Sequence, residues 1–427
     1  MEGNVRRSLD EFLAARGSGL IAFRRDLHAH PETGRAEHRT TRVIAERLAA
    51  AGLDPVVLPG GTGLLADIAA AENSSYPERT VVALRADLDA LPMDDEKDVP
   101  YRSTVAGACH ACGHDVHTTV VLGAGLFLAE QARAGLLPGP VRLIFQPDEE
   151  GSTGAKDVIA AGGLASVGRI FAVHCDPRLD VGKLGIRSGA ITAACDHIKV
   201  RVHGPGGHTA RPHLTADVVY ALGKVVTELP AMLSRRVDPR SSLSLVWGRI
   251  SAGSAANAIP DEGIAEGTVR CLDNEAWEAA PALFGELVKS VAGAYRVTVE
   301  LNYQRNVPAT VNEPASAAMF ATGAESVLGP DGVMPTQQSL GGEDFAYYLD
   351  CVPGALARLG TRPPGGADGD LHQPSFDVDE RAIGVGVRVM VATALTALWH
   401  GAAVPEPPGP PGPQARGSLA GAAEGER

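Results

Sequence analysis

Apolar residues recur at helical spacing near the start of the chain. Leu20, Ile21, Phe23 and Leu27 form one stripe, and Val43, Ile44 and Leu48 another. The pattern predicts two helices, the second stopped at Gly52. Short apolar runs then alternate with helical ones. Val81–Leu84, Val141–Phe145 and Arg169–Val173 read as strands, and His114–Arg133 as a helix between the first two. That alternation predicts an α/β domain built on a mostly parallel sheet, with helices on both faces.

The pattern changes near residue 190. Ile198–Val202 alternates apolar and polar positions, as a half-exposed strand does. Leu214–Leu233 and Ala276–Ala292 read as helices; Leu243–Trp247, Ile264–Leu272 and Val297–Leu301 read as strands. This β-α-β-β-α-β order predicts an inserted α+β domain, one antiparallel sheet with two helices on one face. Ala315–Leu328 and Glu380–Trp399 return the chain to the first domain. The expected division is 1–190 and 306–402 for the catalytic domain, 191–305 for the insert, and a disordered Pro/Gly/Ala-rich tail over 403–427.

Composition narrows the function classes. A chain of 427 residues can bury sizeable cores, and a net charge of −13 argues against nucleic acid as a partner. No apolar run is expected to span a bilayer, and Met1–Arg16 lacks the apolar core of a secretory signal. The six cysteines are scattered, unlike a secreted disulfide framework, so a reducing, cytoplasmic setting is expected.

The densest chemistry is His110-Ala-Cys-Gly-His-Asp115, four potential metal ligands in six residues. Asp87 and Asp89, Glu149 and Glu150, and His174 each follow one of the three predicted strands. Sites in parallel sheets form beyond the carboxyl ends of the strands, so these clusters are expected to converge. Cys112, His114, Glu150 and His174 would be four ligands, and His372, in a loop before the last helix, a fifth. Five mixed ligands exceed one tetrahedral site and suit two divalent ions sharing a water, which then loses a proton near neutral pH and becomes the nucleophile. Glu149, beside a ligand, is placed to carry protons; Asp87 and Asp89 are placed to orient ligands, and His110 and Asp115 to support them. Cys109 and Cys112 also have the spacing of a thiol-disulfide pair, but that reading leaves the other polar clusters without a role.

Seven ordered motifs carry a resemblance. They are Arg24-Arg-Asp-Leu-His-Ala-His-Pro-Glu32, Ala83-Leu-Arg-Ala-Asp-Leu-Asp-Ala-Leu-Pro92, His110–Asp115, Gln146-Pro-Asp-Glu-Glu-Gly151, Gly204-Pro-Gly-Gly-His-Thr-Ala-Arg-Pro-His213, Gly342-Glu-Asp-Phe345 and Leu371–Asp379. Over residues 20 to 400 the chain resembles the amidohydrolase branch of the aminoacylase/carboxypeptidase metallopeptidases, which includes hippurate and indole-acetyl-amino-acid hydrolases and N-acetyl-diaminopimelate deacetylases.

The resemblance implies two divalent ions, manganese or zinc, on Cys112, His114, Glu150, His174 and His372, with Glu149 as general base and Asp89 among the catalytic residues. It implies that the insert is a lid and dimerisation domain whose His208 reaches an active site in a homodimer or larger homo-oligomer and stabilises the oxyanion. Asn257, Arg270, Gly341 and Gly342 would bind the substrate carboxylate. The expected substrate is an N-acyl amino acid, cleaved to a carboxylic acid and a free amino acid; a metallo-dipeptidase or carboxypeptidase of the same family is the alternative.

Overall fold

A computed structural model describes residues 3–70, 80–366 and 369–400; the tail expected over 403–427 lies outside the described residues. Helix α1 spans Gly3–Ala29 and α2 His38–Ala50, with Gly52 at φ 79° just beyond. Strands β1 (Leu64–Ile68), β2 (Val81–Asp87), β3 (Val141–Gln146) and β4 (Val167–Asp180) follow, with α3 (His114–Arg133) between β2 and β3. The second sheet comprises β5 (Ala194–His203), β6 (Ser244–Ala252), β7 (Glu262–Cys271) and β8 (Thr298–Val307), with α4 (Val218–Arg236) and α5 (Asn274–Gly293). The chain closes with α6 (Pro314–Leu328), β9 (Gly354–Arg362) and α7 (Arg381–His400).

The large sheet has eight strands. Its centre runs β1-β3-β2-β4-β9, in which β3, β2, β4 and β9 are mutually parallel and β1 is antiparallel. One face packs on α1, α3 and α7 in the largest apolar core; the other carries a smaller cluster around Ile144, Ile170 and Leu356. The parallel strands are buried on both faces, which is why they read as continuous apolar runs. β1 and β9 escaped the sequence pattern. β9 (Gly-Ala-Leu-Ala-Arg-Leu-Gly-Thr-Arg) lacks β-branched residues until its end, and its pairing to β4 is the long-range contact that makes it a strand.

The second sheet has the order β6-β7-β5-β8 and is antiparallel throughout. β7 alternates half-exposed and buried residues from end to end. Its inward residues join Val225, Leu229, Phe284 and Leu287 of α4 and α5 in a separate core.

Two expectations need correction. β4 does not stop at Val173: its pairing to β9 carries it to Asp180, so His174 lies inside the strand. Among the described residues one helix, α7, is long and apolar enough to cross a membrane by length and composition. It is the central core helix, packed against α3 and α6 and mostly buried, so its apolarity serves packing.

α1 is joined to the start of α3 by a fully buried ion pair. Arg24 Nε lies 2.7 Å from Asp115 Oδ2, with both side chains at 0% exposure, and Arg24 also reaches Asp377 at 3.2 Å. Burial works to raise the Asp115 pKa, but Arg24 and His28 outweigh it and hold the carboxyl far below the usual range. Its stabilisation is therefore present above the ordinary carboxylate range and lost only as pH falls through the depressed folded value. Arg24→Met, which strands the buried carboxylate, should destabilise the fold by about 3–5 kcal/mol at pH 7 in urea titrations. A loss under about 1 kcal/mol would show the pair to be dispensable, because exposed pairs contribute that little.

Candidate active site

The three polar clusters converge where β2 and β3 end and where His174 lies within β4. Asp87 closes β2, and Asp89 lies two residues on. Asp89 ties the segments together: its backbone carbonyl accepts from His114 Nδ1 at 2.8 Å, and its carboxylate accepts the Glu149 amide at 3.1 Å and the Glu150 amide at 2.9 Å. The β3 turn is also held from outside, by Glu37 accepting the Asp148 amide at 2.8 Å.

Gly113 places Cys112 against the first turn of α3. It caps the helix at φ 91°, and a Cβ there would lie 2.8 Å from Cys175 Sγ. Only glycine combines that backbone conformation with that approach.

Hydrogen bonding fixes both histidine tautomers. A carbonyl only accepts, so His114 Nδ1 carries the proton it gives to Asp89. His174 Nδ1 likewise donates to the Cys175 carbonyl at 2.8 Å. In its neutral form each ring keeps an Nε2 lone pair. His174 Nε2 lies 3.5 Å from Cys112 Sγ, and His114 Nε2 is buried with no hydrogen-bond partner among the described residues. Glu150 Oε1 is also without a hydrogen-bond partner and faces His372 Nε2 at 3.3 Å. The donor atoms of Cys112, His114 and His174 lie within 4.8 Å of one another, as do those of Cys112, Glu150 and His372. Two donor triads sharing one thiol, with two orphaned buried atoms, fit a pair of soft-to-borderline divalent ions.

The local field favours a cation. Burial works to lower the His114 pKa, but Asp87 and Cys112 more than reverse it. Burial pushes the Cys112 thiol up to about 12, so only a positive charge would bring it to the ligating thiolate. Glu149 is buried, and its pKa is driven well above the usual range by burial and by Glu343, Glu150 and Asp344. A carboxyl so placed can hold a proton near neutral pH.

Residues without an assigned role in the motifs complete the site. His117 sits one turn after His114. Its Nε2 accepts the Cys175 amide at 2.8 Å, so its Nδ1 donates to Asp87 at 2.7 Å. The i, i+3 spacing of His114 and His117 was the available signal. Arg85, 1% exposed, lies 2.7 Å from Asp87, 2.9 Å from Asp344 and 3.2 Å from Glu343. It sits inside the Ala83–Pro92 motif.

Support expected from His110 and Asp115 takes another form. Asp115 turns to Arg24 and His28, and both His110 ring nitrogens lack hydrogen-bond partners among the described residues, with burial lowering its pKa to about 3. Cys109 lies 3.7 Å from Lys97 Nζ, and burial pushes its thiol up to about 11. Cys109 and Cys112 are thus both free thiols of raised pKa, the opposite of a redox pair.

A cavity of ≈ 480 Å³ opens over the donors, lined by Cys112, Glu149, Glu150, His174 and His372. Arg270 of β7, Gly341, Gly342 and Arg358 also line it. The Gly341 amide is taken by Ser339 Oγ at 3.1 Å. His208, in a short separate pairing of Gly207–His208 with Ala258–Ile259, and Asn257 beside it are exposed and do not line this cavity. His208 Nδ1 accepts the Ala210 amide at 3.0 Å.

The description Peptidase family M20/M25/M40 matches residues 83–396. The chain belongs to this family. It is a metal-dependent hydrolase of amide bonds. A relative in Rhodococcus jostii RHA1, described as a putative glutamate–cysteine ligase 2-3, is 47% identical over 89% of this chain, which spans 46% of that protein's length. An N-acetyl-L-cysteine deacetylase of Bacillus subtilis is 37% identical, covering 85% of this chain and 84% of its own. The crystal structure of the Bacillus subtilis YXEP protein, described as a dinuclear metal binding peptidase from the M20 family, superposes with a TM-score of 0.79 at 32% identity. It covers 91% of this chain and 99% of its own. The mixed α/β fold with its inserted second sheet is shared with that neighbour.

Asp89→Ala should lower affinity for manganese or zinc by about 10–100-fold, because one carboxylate positions both glutamate amides. Competition with a chromophoric chelator measures this, and an unchanged affinity would remove Asp89 from its organising position.

Proposed function

We propose that this hydrolase cleaves N-acyl amino acids to a carboxylic acid and a free amino acid. The observation that carries the reading is a buried Glu149 of raised pKa beside the paired donor triads, in a cavity that also holds Arg270. A proton carrier, a cation site and a carboxylate-binding guanidinium are the three parts such a substrate needs.

Cys112, His114, Glu150, His174 and His372 would hold two divalent ions, manganese or zinc, which when bound supply Lewis-acid activation of a water and of the scissile carbonyl. Glu149 takes the water proton on its carboxylate and delivers it to the leaving amine nitrogen. Its burial keeps the protonated form available for the second transfer. Asp89 keeps Glu149 and Glu150 in register through their amides. Arg270 pairs with the free carboxylate of the amino acid, with Gly342 lining the same cavity.

His208 and Asn257 are assigned to the cavity of a partner subunit. Their exposure away from their own cavity supports a homodimer in which each insert supplies His208 to the opposite site as the oxyanion donor.

Three substitutions separate this reading from thiol redox chemistry. Glu149→Gln should cut kcat by at least about 100-fold, as expected for a lost general base. Cys112→Ser should abolish metal binding and turnover, whereas Cys109→Ser should leave both near wild type. Turnover of a panel of N-acyl amino acids and dipeptides by protein loaded with manganese or zinc reads this out. If no panel member is cleaved, the reading is wrong. Dimers mixed from Glu149→Gln and His208→Ala chains should regain roughly one quarter of wild-type activity, since half are mixed and each has one intact site. No recovery would place His208 in its own subunit's site.

A further inference from the structure

Arg358 is the one arginine of the cavity wall that neither the metal donors nor the expected carboxylate-binding set accounts for. It sits on β9 directly opposite His174 of β4, at the metal end of the sheet. The side chain is 6% exposed, and it lines the cavity with Cys112, His174 and Glu343. Among the described residues it forms no ion pair within 4.0 Å and no side-chain hydrogen bond. The neighbouring carboxylates are committed elsewhere. Glu343 faces Arg85 at 3.2 Å and accepts the Phe345 amide at 3.0 Å, and Asp176 faces Arg178 at 3.2 Å.

A buried guanidinium without a partner is costly, because burial penalises its charge. Burial lowers the Arg358 pKa, and Glu343, Asp176 and Cys112 offset this only in part. The flanking residues of β9, Ala357 and Leu359, are fully buried in apolar surroundings, so nothing in the strand itself calls for a cation at this position. A carboxylate entering the cavity would pair with the planar guanidinium through two parallel N–H···O bonds.

We propose that Arg358 recognises a second carboxylate on the substrate, so that the preferred substrates are N-acyl amino acids bearing two acidic groups. This rests on the amidohydrolase reading above, in which Arg270 takes the first carboxylate. The second resides either on the amino-acid side chain or on the far end of a dicarboxylic acyl group. The electrostatic interaction of Arg358 with His174 and Cys112 puts that second charge close to the metal donors.

Two matched pairs test it on the metal-loaded protein. N-acetyl-L-glutamate against N-acetyl-L-glutamine places the charge on the amino acid, and N-succinyl-L-leucine against N-acetyl-L-leucine places it on the acyl group. In one pair, wild-type kcat/KM should favour the dianion. Arg358→Met should collapse that preference by about 100-fold, the scale of a charge-assisted hydrogen-bonded pair, and Arg358→Lys should restore part of it. The pair that responds identifies the end recognised. Calorimetric binding of the same four compounds to metal-loaded Glu149→Gln protein, with and without Arg358→Met, gives a readout independent of turnover. A dianion preference in binding that vanishes with Arg358, without hydrolysis of any compound, would sink the amidohydrolase reading and keep the recognition. Preferences below about threefold in both pairs, or equal losses for both members on Arg358→Met, would overturn the proposal.

Discussion

Asp89 is the residue on which the geometry of the site depends. One backbone carbonyl and one carboxylate, just past the end of β2, fix the His114 tautomer and both glutamate amides. Three segments distant in sequence are thereby referred to a single point. Small errors in strand register would move His114 and Glu149 relative to each other, and Asp89 prevents that with hydrogen bonds at 2.8–3.1 Å. The parallel sheet supplies the rigidity and Asp89 the local alignment.

Around that point the protein gathers carboxyl groups whose mutual repulsion, with burial, drives the Glu149 pKa well above the usual range. Arg85 balances Asp87, Glu343 and Asp344, yet Glu149 and Glu150 have no cationic side chain of their own apart from the flanking histidines. Orphaned lone pairs on His114 and Glu150 point the same way. Such a field makes cation binding part of the stability of the site, because the ligands repel one another until a charge sits among them. The buried Arg24–Asp115 pair is a separate device: it anchors α1 to the helix that carries His114, away from the donors.

Much of this was legible in the chain. The 3.6-residue and two-residue periodicities place α3 at His114–Arg133, as observed, and mark the inserted β-α-β-β-α-β unit, because those patterns are set by local burial. Glu150 and His174 could be named as donors from their places after apolar strands, Cys112 and His114 from the helix start between two of those strands, and His372 from its loop before the last helix. β9 was missed because its strand character comes from pairing with β4, and Arg358 was missed with it. His110 and Asp115 were drawn to the donors by adjacency, yet a helix start turns neighbouring side chains in different directions, and Asp115 faces α1.

The sequence by itself determined the element order apart from β1 and β9, the family and the identities of the groups able to hold metal and move protons, since those follow from residue type and short-range spacing. Tertiary structure alone decided which lone pairs remain free, which carboxylate aligns the others, and that Arg358 lines the cavity while His208 stays outside it. Hydrogen-bond direction and strand register are long-range properties, and no local pattern carries them.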